Sequence, residues 1–134
     1  MKIALRVNAL IALLIVGGCQ AHQAPAKDAK PQAAVTHVVL CWLKMPGDEA
    51  GRRRIIETTQ TLKSIPGVVS VTAGRAMPST RPVVDSSFDV GIVITFTDES
   101  ALRAYDQHPT HKRAVETVLR PLVAKLLVYD IETK

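Results

Sequence analysis

The chain has 134 residues, a formal net charge of +5 and only 4% aromatic side chains. That length holds one modest core once a leader is set aside. The mild charge and the scarcity of rings exclude a nucleic-acid face, which needs a broad basic surface with stacking aromatics.

Met1 to Arg6 carries two positive charges, an apolar run spans Ala9 to Val16, and Gly17-Gly18-Cys19 follows. This order reads as a secretory signal peptide over residues 1–18. The run is shorter than the ~20 apolar residues of a membrane span. Val16-Gly17-Gly18-Cys19 resembles a bacterial lipobox, which implies acylation of Cys19 and a lipid anchor in the cell envelope. Gln20 stands where an inner-membrane retention signal has Asp, so the resemblance points to the outer membrane, facing the periplasm. Without residues 1–18 the chain loses Lys2 and Arg6, leaving 15 basic against 12 acidic residues, a charge of +3. Residues 19–34, rich in Ala, Gln, Lys and Pro, read as a disordered linker. With Cys19 lipidated, Cys41 lacks a disulfide partner and reads as a small buried hydrophobe.

The folded domain is expected over 35–132. Val35 to Lys44 reads as a strand that is apolar on both faces, hence central or packed into a dimer. Met45-Pro46-Gly47-Asp48 turns the chain, and Asp48 caps an amphipathic helix from Glu49 to Ser64. Arg52-Arg53-Arg54 in that helix reads as a solvated face. Pro66-Gly67 ends the helix. Val68 to Gly74 is a second strand, and Met77 to Asp85, with its prolines, is a loop. Ser87 to Thr97 alternates cleanly, with Phe88, Val90, Ile92, Ile94 and Phe96 on one face. Asp98 caps a short helix from Glu99 to Tyr105. Beyond Pro109, Ala114, Val115, Val118 and Leu119 mark another helix, which Pro121 is expected to stop near Arg120. Ala124 to Ile131 is the last strand.

Two strand-helix-strand units in tandem predict an α+β fold: a ferredoxin-like four-stranded antiparallel sheet with helices on one face. The other face is left bare, and a second copy of the sheet across a two-fold axis is the economical cover.

Tyr105-Asp106-Gln107-His108-Pro109-Thr110-His111 gathers two of the four histidines and one of the two tyrosines around a rigid proline corner. An imidazole near neutral pKa is a fitting general base, and a phenol is a fitting donor to an enolate oxygen. The same rings could equally pin the corner by bonding each other or backbone. His108 and His111 could hold a metal, but no further cluster completes a first shell, so no metal is expected. Nor is a cofactor, because no Gly-rich phosphate loop or nucleotide motif is present.

Thr36-His37-Val38-Val39-Leu40, Ile65-Pro66-Gly67-Val68, Tyr105-x-x-His108-Pro109-x-His111 and Val128-Tyr129-Asp130 together resemble the Dabb family, the stress-responsive dimeric α+β barrel domains. The resemblance implies a homodimer whose two sheets close into a barrel. A plant member cyclises a polyketide by aldol condensation with a Tyr and a His, roles that the motif would place on Tyr105 and His111. It would also put His37 in the cavity wall, as an orienting neighbour to His111 the general base and Tyr105 the donor, and make Val39, Cys41, Ile92 and Ile94 its apolar lining, with His108 close by. The expected function is an envelope lipoprotein whose dimeric barrel binds a small hydrophobic ligand or simply contributes to a stress response. The alternative is an enzyme of the cyclase, isomerase or lyase type.

Overall fold

The computed structural model of the protein describes residues 33–133. The expected leader, the lipid site at Cys19 and nearly all of the linker lie outside the described residues. The elements run β1 (Val35–Leu43), α1 (Glu49–Thr61), a 3-10 turn (Leu62–Ser64), β2 (Val68–Gly74), β3 (Val90–Phe96), α2 (Glu99–Gln107), α3 (Pro109–Ala114), a π-helical turn (Val115–Leu119), α4 (Arg120–Leu122) and β4 (Val123–Glu132).

The four strands form one sheet in the order β2-β3-β1-β4, and every neighbouring pair is antiparallel. This is the ferredoxin-like fold that the tandem strand-helix-strand units imply. Alternation along β1 sends Val35, Val39, Cys41 and Leu43 toward the helices, where they are buried with Val90, Ile92, Ile94 and Phe96 of β3. Ile55, Leu62, Leu102 and Val118 close the core from the helical side. Burying one such aliphatic side chain contributes about 1.5–3 kcal/mol, so this single layer supplies most of the stabilisation available to ~100 residues.

The helix starts obey simple capping chemistry. The Asp48 carboxylate accepts from the N–H of Gly51 at 2.9 Å, and that of Asp98 accepts from Ala101 at 2.8 Å. Gly67 ends the turn after α1 at φ +86°, and a methyl group there would come within 2.5 Å of Ala101 Cβ. Only glycine meets both demands.

Three details depart from expectation. Arg52 is not on a solvated face: its side chain is 14% exposed and bridges Glu49 and Asp89, the latter at 3.3 Å. Asp89 also accepts from the Leu43 N–H at 2.8 Å and donates its own N–H to Cys41 O. It thereby ties α1 to the sheet where the β1–β3 ladder ends. With Asp89 so engaged, β3 begins at Val90 rather than Ser87. Phe88 lies against Gly91, edge-on to Trp42. Gly91 pairs with Leu40, so Phe88 covers the face away from the helices.

The third departure is at Pro121, which does not stop the helix near Arg120. Backbone continues helically to Leu122 because residues Val115–Leu119 widen into a π turn. Pro121 has no N–H to offer the carbonyl of Thr117 four residues back, and the Arg54 guanidinium approaches that oxygen at 3.5 Å instead.

The sheet's second face carries Val38, Leu40 and Trp42 of β1 beside Val93 of β3 and Leu127, Tyr129 and Ile131 of β4. Tyr129 and Ile131 are each 52% exposed. On the helix side of β4, Leu126 and Val128 are also exposed. The chain by itself leaves this edge strand open on both faces.

Candidate functional site

The proline corner forms because one residue serves two helices. His108 takes the extended conformation (ψ 135°) that a following proline imposes. Its N–H donates to Tyr105 O at 3.0 Å, which closes α2. Its ring Nδ1 accepts from the N–H of Thr110 at 3.2 Å, which opens α3, and Pro109 occupies the first helical position, where no N–H is needed. Helix α2 runs to Gln107, two residues beyond the expected end at Tyr105; Tyr105 lies in its last turn pointing into the core, and His111 comes back over it in the first turn of the next helix. The two rings lie 4.3 Å apart between centroids, tilted by 35°.

A cavity of about 40 Å³ opens beneath this corner. The sheet supplies His37, Val39, Ile92 and Ile94. The corner supplies Tyr105 and His111, α1 and the turn after it supply Thr58, Thr59 and Leu62, and the far wall is Ala114, Val115 and Leu119. The Thr59 hydroxyl is committed to Ile55 O, so the polar groups free to meet a ligand are chiefly the three rings.

Their chemistry follows from their partners. His37 Nδ1 lies 2.6 Å from Asp130 Oδ1. A carboxylate only accepts, so Nδ1 carries the proton and Nε2 of the neutral ring keeps its lone pair. His111 Nδ1 lies 3.2 Å from Asp106 O, and by the same reasoning donates to that carbonyl. Tyr105 is 2% exposed. Burial, with the Asp106 carboxylate adding to it, pushes its phenol well above the ordinary range, so the hydroxyl stays protonated and acts as a donor. His37 also meets Tyr105 edge-on, with centroids 6.1 Å apart.

The structure therefore brings His37, Tyr105, His111, Val39, Ile92 and Ile94 to one cavity and leaves two expected members out of it. Cys41 shares the face of Val39 but lies two residues further along β1, sealed in the core at 0% exposure. His108 spends its ring on the α3 cap. Among the described residues no group of three or more His, Cys, Asp or Glu side chains is placed to hold a metal ion. The residues that sequence reasoning missed are Asp130, behind His37, and the wall residues Thr58, Thr59, Leu62, Ala114, Val115 and Leu119. The helical spacing of the last two marked them as core, and nothing local links Asp130 to a residue 93 positions away.

Residues 35–133 match the family model described as the Stress Responsive A/B Barrel Domain, Dabb. Among solved structures, a Dabb family protein with a ferredoxin-like fold from Mesorhizobium loti is 26% identical, with 77% of this chain and 99% of that one covered and a TM-score of 0.62. A dimeric ferredoxin-like protein of unknown function from a Jannaschia species is 27% identical, covering 74% and 98%, with a TM-score of 0.59. A dimeric protein of unknown function and ferredoxin-like fold from Bacteroides fragilis is 20% identical, covering 76% and 98%, with a TM-score of 0.63. No curated protein matches the chain in sequence.

Proposed function

Because the chain belongs to the stress-responsive A/B barrel (Dabb) family, we propose that it is a homodimeric binding domain, lipid-anchored at Cys19, that takes a small oxygen-bearing apolar molecule beneath the proline corner. The dimer reading draws on the bare apolar sheet face and on the dimeric relatives. The anchor reading rests on the leader and lipobox pattern alone. On this reading the protein sits on the periplasmic side of the outer membrane.

The observation that carries ligand binding is the convergence of His37, Tyr105 and His111 on one cavity that is otherwise apolar apart from Thr58 and Thr59. Few, convergent polar groups in an apolar wall are the usual make-up of a small-molecule site. At about 40 Å³ the cavity holds only a fragment of a few heavy atoms, well short of the roughly 300 Å³ at which drug-sized sites begin. A larger ligand enters only if the far wall moves, and that wall stands on the π turn.

The test is a titration of the full chain with small carbonyl and phenol compounds, read on the imidazole nitrogen signals. Shifts are expected at His37 and His111 and not at His108. Affinity should fall about three- to tenfold in Tyr105→Phe, the worth of one hydrogen bond. No shift at either ring for any compound overturns the reading. For the anchor, Cys19→Ser should move the protein from the membrane fraction to the soluble one.

One observation favours a catalytic reading beside this. His37, oriented by Asp130, and Tyr105, held as a neutral phenol, form a base and a donor in one cavity. A base at Nε2 would take a proton from a carbon next to a carbonyl, the electron pair would move onto the carbonyl oxygen, and Tyr105 would donate to that oxygen. The cavity as it stands excludes a folded polyketide chain, so substrates of this reading are small enolisable ketones. Exchange of their α-hydrogens for deuterium in the presence of the protein, absent in His37→Gln, is the corresponding measurement.

A further inference from the structure

Beside β4, on its helix side, runs a groove of about 330 Å³ lined by Val115, Leu119, Val123, Ala124 and Leu126 together with Arg120 and Lys125. Val115 and Leu119 also wall the inner cavity, so groove and cavity are separated by these two side chains. Leu126 is 46% exposed there, too apolar a floor to be left open beside a site.

Strand direction restricts what covers it. β2 and β1 are each antiparallel to β3, so they run the same way, and β4 runs opposite to both. The two edges of the sheet, β2 and β4, are therefore antiparallel to each other. A two-fold axis along the strands sets β4 beside the partner's β2 in antiparallel array, and direction then alternates all the way round eight strands. An axis across the strands would instead close each edge on its own copy, β4 on β4 and β2 on β2, also antiparallel. The unlike-edge arrangement is preferred because it alone brings the apolar groove beside β4 against the exposed residues that follow β2.

Register places the next segment. Gly74 pairs with Gly91, Gly91 with Leu40, and Leu40 with Leu127, so the end of β2 is level with Leu127. Residues after Gly74 are therefore level with the Val123–Leu126 stretch. They leave toward the helices, since Arg75, Ala76 and Pro78 share a depression with Glu49 and Arg52 of α1. Met77 lies among them, 80% exposed.

We propose that Met77 of a second copy seats in the groove between the π turn and β4, so that the β2–β3 loop of the partner subunit finishes the outer wall of each binding cavity. This inference rests on the homodimer reading above and goes beyond it, because it makes each site incomplete without the other subunit's loop. Methionine suits an irregular apolar groove, being unbranched and polarisable.

Disulfide trapping tests it in the full chain carrying Cys19→Ser, which leaves Cys41 as the only native thiol, sealed in the core. Subunits with Met77→Cys are mixed with subunits carrying Leu126→Cys and oxidised mildly, and sedimentation is measured in parallel. A mixed covalent dimer, at least tenfold more abundant than either self-linked product, is expected. Replacing Met77→Cys by Val83→Cys at the loop tip should abolish it. A dimer by sedimentation that gives no 77–126 link, or that links through position 83 or as a 126–126 product, overturns the inference and leaves the dimer standing. A chain that sediments as a monomer overturns both.

Discussion

His37 and Asp130 face each other across paired strands β1 and β4, and the imidazole Nδ1–H donates to the carboxylate at 2.6 Å. The bond fixes which nitrogen of His37 carries the proton, which leaves Nε2 to act toward a ligand. Asp130→Ala should cost at most about 1 kcal/mol, because the carboxylate is half exposed. The ring should change much more: its nitrogen shifts should move from a fixed Nδ1–H tautomer toward a mixture. A tautomer unchanged by Asp130→Ala would show that the pair does not orient the ring.

Arg52, Arg53 and Arg54 are adjacent yet should respond very differently to alanine. Arg53 and Arg54 are exposed, and loss of either should stay within about 0.5 kcal/mol. Asp89→Ala leaves the largely buried Arg52 with Glu49 as its one acid partner and removes the acceptor of the Leu43 N–H, so roughly 1–3 kcal/mol should be lost. Arg52→Met, which removes the charge and keeps the stem, should restore part of that loss in the double variant. Urea midpoints across the five proteins decide it.

Burial, with Asp89 adding to it, pushes the Cys41 thiol up to about 11. The unfolded thiol titrates near 8.5. Between those values the folded state holds a proton that the unfolded state has lost, so stability falls as pH rises through that window. The fall should be steeper in the wild type than in Cys41→Ala, which itself costs about 1 kcal/mol as a small core cavity. In the native protein at pH 8 the thiol should resist alkylation and react only on unfolding.

Gly67→Ala should be far more harmful than Gly47→Ala. Both positions have φ near +80°, which costs an L residue about 1–2 kcal/mol. A methyl at 47 meets nothing within 4 Å, whereas one at 67 collides with Ala101. Thermal melts should separate the two by at least about 4 °C.

The parts of this fold that were legible were those written in local chemistry. Val68–Gly74 was bounded by Pro66-Gly67 and by β-branched alternation, and it emerges with those ends. Asp48 and Asp98 announced their helices by position. What was not legible depends on distant partners or on backbone that bends a rule. Arg52 looked solvated because its acceptor, Asp89, is 37 residues away. Pro121 looked like a stop because a π turn leaves no mark in the apolar spacing. In the candidate site, the Tyr-x-x-His-Pro-x-His element located two rings. Strand register added Asp130, and position along β1 left Cys41 sealed beyond the cavity, and neither is a property of a short motif.

The N–H of Ala34 donates to Phe96 O, and its carbonyl accepts from Thr133 N at 2.8 Å. Entry and exit of the domain are thus stitched together at one rim of the sheet, opposite the rim that carries Trp42 and the β2–β3 loop. A two-fold axis along the strands would send both leads of a pair out of the same rim. With the anchor proposed at Cys19, two tethers would then root side by side in a single leaflet, holding the pair upright like a stool with the Trp42 rim turned away from the lipid. A short splice from Thr133 back to Ala34, with new ends cut in the loop near Ser79, should likewise be tolerated.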